Sequence, residues 1–103
     1  MPVLSVAVTI TGTGDKSYCY ATINGTKQYS AGTHEVNAGD KITFGVVGSN
    51  INYGEVKIDG TQVLKVTSGS TKTYDWTVPS GISTVEIKMN YNFGYGRITV
   101  TTA

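Results

Sequence analysis

Ser17-Tyr18-Cys19-Tyr20-Ala21-Thr22-Ile23-Asn24-Gly25 decides how the rest of the chain is read. Cys19, Ala21 and Ile23 share one phase of a two-residue period, and Tyr18, Tyr20 and Thr22 the other. That is a strand with one face toward a core. Asn24-Gly25 then supplies the residue pair best suited to two consecutive positive φ angles, a type I′ hairpin turn. The returning segment, 26–30, is polar and is expected at a sheet edge or on a solvent-facing ribbon.

The same period extends in both directions. Leu4, Val6, Val8 and Ile10 alternate with Val3, Ser5, Ala7 and Thr9 until Gly12-Thr13-Gly14-Asp15 ends the strand. Ala31-Gly32 and Ala38-Gly39-Asp40 bracket a short strand around His34 to Val36. Ile42, Phe44 and Val46 alternate with Lys41, Thr43 and Gly45. Val56 and Ile58 alternate with Glu55, Lys57 and Asp59, and Asp59-Gly60 makes a second hairpin into 61–66. Tyr74, Trp76 and Val78 share a face of 72–78, which Pro79 stops. Val85, Ile87 and Met89 follow, then a Gly-rich aromatic stretch at 90–96 read as a loop, then Ile98 and Val100.

With 103 residues the chain is one domain, 1–103, because two cores of half that size would be starved. Val, Ile and Thr number 12, 8 and 16, against 2 Leu, 3 Glu and 5 Ala, so strand formers crowd out helix formers. The fold class is all-β: eight to ten short strands in two packed antiparallel sheets around a Trp76 core, with a small β-barrel as the alternative. The N-terminus lacks the basic region and continuous apolar run of a signal peptide, and no stretch is apolar enough for a spanning helix. The expectation is synthesis in the cytoplasm without a signal.

Charge and chemistry exclude several functions. A net charge of +1 gives no electrostatic reason to expect nucleic acid or anionic lipid. One Cys and one His assemble neither a disulfide nor a metal site, and no cofactor motif is present. Gly12-Thr13-Gly14-Asp15-Lys16-Ser17 lacks the spacing of a phosphate loop. His34 reads as a solvated edge residue without a nucleophile beside it. Asp15, Asp40 and Asp59 sit in turns, Glu55 and Glu86 on polar phases, and Asp75 faces away from Trp76. No catalytic constellation emerges, and the chain reads as a non-enzyme.

Asn90-Tyr91-Asn92-Phe93-Gly94-Tyr95-Gly96-Arg97 stands out, with three aromatics in five residues beside an arginine. Tyr and Arg favour protein interfaces, and aromatic platforms also stack on sugars. Tyr91, Phe93, Tyr95 and Arg97, extended by Tyr53, form the candidate binding surface. The competing reading is that the tyrosines simply pack across strands or cover the open end of the sandwich.

Ile23-Asn24-Gly25-Thr26, Tyr29 through Phe44, Gly54 through Thr61, Tyr74-Asp75-Trp76-Thr77-Val78 and Gly96 through Thr101 together resemble small immunoglobulin-like modules of tailed-phage virion proteins. The resemblance covers residues 20–102 and departs from antibody-type domains in lacking the inter-sheet cysteine pair. It implies an immunoglobulin-like sandwich on a virion surface, as a capsid decoration or a head or tail accessory. Its partners would be major capsid or tail proteins, with self-association alongside. A carbohydrate-binding module built on 90–97 is the alternative, and an intracellular adaptor a third.

Overall fold

A computed structural model describes residues 6–11, 16–23, 25–29, 33–81, 84–92 and 94–102. The expected start at Leu4, the Gly12–Asp15 and Ala31-Gly32 turns, Asn24 of the first hairpin and Phe93 lie outside these residues. Ten strands follow one another: β1 Val6–Thr11, β2 Cys19–Ile23, β3 Thr26–Gln28, β4 Thr33–Val36, β5 Lys41–Val47, β6 Tyr53–Ile58, β7 Thr61–Thr67, β8 Thr71–Thr77, β9 Thr84–Asn92 and β10 Tyr95–Thr102. Among the described residues one 3-10 turn, Gly48–Asn50, interrupts them. The result is the expected all-β sandwich, with a six-stranded sheet ordered β4-β1-β9-β10-β6-β7 and a four-stranded sheet ordered β3-β2-β5-β8.

Both predicted hairpins form. Ile23 pairs with Thr26 around Gly25, whose φ is 80°, and polar β3 lies at the edge of its sheet. Ile58 pairs with Thr61 around Asp59 and Gly60, with φ of 50° and 83°. Parallel neighbours are the departure from an antiparallel reading: β1 runs parallel to β9, and β6 to β10. A tight turn can join only antiparallel neighbours. β6 and β10 are joined through three intervening strands, one of them in the other sheet, so nothing in the connection fixes their sense.

The core lies between β5 on one side and β6, β9 and β10 on the other. Ile42, Phe44 and Val46 meet Val56, Ile87, Met89, Ile98 and Val100, all at most 1% exposed. Phe44 is the largest fully buried side chain among the described residues. Trp76 is not the centre that the sequence suggested. It sits on β8, at the edge of its sheet, half-buried and tilted against Phe44 with ring centroids 6.5 Å apart. Being larger does not make a residue more central; the strand's place in the sheet decides that. Gly54 sits on the inner phase of β6, where a Cβ would strike Val46 and Ile51.

These placements give an order of cost. Phe44→Ala is expected to lose ~3–5 kcal/mol of unfolding free energy, and Trp76→Ala distinctly less, because part of its surface is already wet. Urea titration of the two variants checks the ranking, and equal losses would contradict it.

Candidate binding face

The aromatic segment is a hairpin, not the loop read from the sequence. β9 continues to Asn92, and β10 begins opposite it at Tyr95. Gly94, with φ of 84°, lies in the turn between them. The alternation of Val85, Ile87 and Met89 simply continues to Tyr91. Strand phase therefore divides the candidate residues between two faces.

Tyr91 takes the core-facing phase. It lies opposite Gly96 and stacks on Tyr18, centroids 5.0 Å apart and rings 14° from parallel. Gly96 lies beside Tyr18, where a Cβ would meet the Tyr18 carbonyl oxygen at 3.5 Å and its Cβ at 3.6 Å, both ordinary contacts. The tyrosine pair covers one end of the sandwich, as the packing alternative expects.

Tyr95, Arg97 and Tyr53 take the outer phase of the six-stranded sheet, where the register brings them together. Tyr95 pairs with Tyr53, and Arg97 with Glu55. The two tyrosine rings stack across strands, 5.5 Å apart and 15° from parallel. The Arg97 guanidinium lies 5.3 Å from the Tyr95 centroid, and the Lys65 ammonium 5.8 Å from that of Tyr53, both within cation–π range.

Beneath the rings is a carboxylate that the sequence put on a polar phase. Glu55 is on the polar phase as read, yet only 3% exposed. Tyr53 donates its hydroxyl to Oε2 at 2.8 Å, and Gln62 donates Nε2 to the same oxygen at 3.0 Å and to the Tyr53 hydroxyl at 3.0 Å. Oε1 faces Arg97 Nε at 3.0 Å and Lys57 Nζ at 3.5 Å. The Arg97 contact is a charge pair without an aligned N–H···O bond. Removal from water pushes the Glu55 carboxyl up, but the Tyr53 hydroxyl, Arg97, Lys57 and Gln62 together outweigh this and hold it below the ordinary glutamate value. The bond to Glu55 in turn pushes the Tyr53 phenol up.

A β-bulge sets the register that makes this possible. Lys57 pairs with Gln62, but Val56 pairs with Leu64, leaving Val63 as the extra residue. Glu55 consequently faces Lys65, where an unbroken hairpin would set it opposite Leu64. A sequence signal for the cluster existed in the shared phase of Tyr53, Glu55 and Lys57 with Gln62 across the hairpin; the bulge itself gave none.

Among the described residues no three His, Cys, Asp or Glu side chains gather in a metal-holding group, and none of the helices is long and apolar enough to cross a membrane. No protein-family model, curated protein or solved structure matches the chain.

The Glu55 cluster fixes a pH dependence. Because its carboxyl titrates lower folded than unfolded, the stability it confers is present above the ordinary glutamate value of 4.5 and is lost as pH falls below it, through the folded value. Glu55→Gln should therefore flatten the decline of unfolding free energy in that acid window. Tyr53 runs the other way, so its ultraviolet titration begins above the ordinary 10.0 and returns toward it in Glu55→Gln. Superimposable acid limbs for the two proteins would refute the assignment.

Proposed function

We propose that the chain is a non-catalytic binding module of a virion surface, a capsid decoration or head or tail accessory protein. It would dock on a protein lattice through the outer face around Tyr53, Tyr95 and Arg97. The observation that carries the binding face is the Tyr53–Tyr95 stack, flanked by Arg97 and Lys65 and anchored on buried Glu55. Tyr and Arg are the residues that most often dominate protein interfaces, and rings fixed in advance lose little freedom on docking. The virion setting rests on the resemblance of the turn-and-alternation pattern to phage modules.

Ring geometry favours a protein over a glycan at this place. A stacked sugar needs an open ring face. Tyr53 has Tyr95 on one side and Lys65, from β7, on the other, while Tyr95 has Tyr53 and the Arg97 guanidinium as neighbours. Tyr91, with one face on Tyr18, belongs to the end of the sandwich. Glu55, with both oxygens engaged by Tyr53, Gln62, Arg97 and Lys57, serves as an internal counter-ion instead of an acid or base. Weak contacts repeated over a symmetric lattice sum to firm attachment.

Quantitative mass spectrometry of purified particles should find the chain in copies stoichiometric with a capsid or tail protein. Tyr95→Ala should weaken binding to particles lacking the chain by roughly tenfold or more, the effect of losing a hot-spot tyrosine, while a glycan array stays blank. A chain scarce in particles, or binding untouched by Tyr95→Ala, would remove this reading.

A further inference from the structure

Among the described residues, the side of the sandwich where β7 gives way to β8 is incompletely covered. β7 is the outermost strand of the six-stranded sheet and β8 of the four-stranded sheet, joined by the Ser68–Ser70 connection. Ile58, Val63, Leu64, Tyr74 and Trp76 all pack only partly against the core there. Five half-covered apolar side chains along one seam are more than scattered surface residues, and Trp and Tyr are prominent among them.

The edges differ in how far they resist another strand. β3 and β4 have three and four residues, and β7 carries the Val63 bulge. β8 has seven residues, Thr71-Lys72-Thr73-Tyr74-Asp75-Trp76-Thr77, with no Pro, Gly or bulge and one charge of each sign. An edge of this length, blunted only by the single Lys72 on its inner phase, is a template for strand addition.

We infer that β8 pairs antiparallel with β8 of a second copy of this chain, about a two-fold axis at Tyr74, joining two four-stranded sheets into one of eight. Side chains directly opposite must share a face, which limits the axis to a residue position. Centred on Tyr74, the pairing uses the full strand and sets no like charges opposite each other. Lys72 of one copy falls opposite Trp76 of the other, Thr73 opposite Asp75, and Thr71 opposite Thr77. Centring on Asp75 would oppose two carboxylates, and centring on Thr73 would leave Trp76 and Thr77 outside the strand-to-strand pairing. Lys72, Tyr74 and Trp76 share the phase of the open seam, so the second copy covers the half-exposed rings. This surface is separate from the Tyr53 face on the other sheet and stands without it.

Sedimentation equilibrium of the full chain should show a concentration-dependent dimer. Thr73→Asp, at an exposed position, opposes Asp75 twice across the axis and should weaken the dimer at least tenfold while the melting curve of the monomer is retained. Mixing Thr71→Cys with Thr77→Cys protein should yield the mixed disulfide in preference to either homodisulfide, since directly opposed strand residues lie within disulfide reach; Cys19 is buried and does not compete. A monomer at all concentrations overturns the inference. So does a dimer that is indifferent to Thr73→Asp or that links Thr71→Cys to itself as readily as to Thr77→Cys.

Discussion

One extra residue, Val63, holds the six-stranded sheet to two tasks at once. A two-residue hairpin continued without interruption would turn Leu64 and Val66 toward solvent and Lys65 toward the core. The bulge between Val56 and Lys57 reverses the phase of β7, so Val66 is buried at 1% exposure and Lys65 reaches the outer face. Core closure on one side and the cationic flank of Tyr53 on the other come from the same local shift. The unbroken phase would satisfy neither, because strand side chains alternate strictly.

The buried carboxylate then organises what stands above it. A lone glutamate 3% exposed would favour protonation, and leaving it charged without partners would cost several times the worth of an ordinary hydrogen bond. Tyr53 and Lys57 from β6, Gln62 from β7 and Arg97 from β10 compensate it, so three strands are tied at one point. The tie fixes the Tyr53 hydroxyl, hence the ring, hence the stack with Tyr95. An aromatic pair standing on a sheet would otherwise be free to choose rotamers; here one ring is pinned at its tip and the other rests against it.

Much of the fold was legible because alternation marks the inner face of strands such as β2, where Cys19, Ala21 and Ile23 are buried as their spacing requires, and both hairpins form, Ile23 pairing with Thr26 and Ile58 with Thr61. Alternation reports phase, not position within a sheet, which is why Trp76 looked central while Phe44, on inner strand β5, holds that place. Proximity in sequence misled at 90–97. Tyr91 and Tyr95 are neighbours along the chain but belong to opposite faces, whereas Tyr53 and Tyr95, far apart in sequence, are adjacent through a parallel pairing that no turn announces. The polar phase of Glu55 was legible but its burial was not, because burial on an outer face depends on neighbours that only register supplies.

The tyrosines show how one residue type answers different demands on such a scaffold. Tyr20 lies across Gly45 on the outer face of the four-stranded sheet, where any Cβ on residue 45 would run into its ring. The Lys27 ammonium stands 4.5 Å from its centroid and Tyr29 meets it edge-on. Tyr18 and Tyr91 close an end of the sandwich, and Tyr53 and Tyr95 stand as a charged-flanked pair on the opposite sheet. In the first setting the ring fills a space that a glycine leaves, and in the second each ring rests on the other, which makes both part of the fold. In the third no glycine hollow receives the rings, and their order comes from the ion cluster below. Aromatic surface held in place by polar contacts, and not by packing against a hollow, is what supports the proposal that the Tyr53–Tyr95 face, of the three, takes part in recognition.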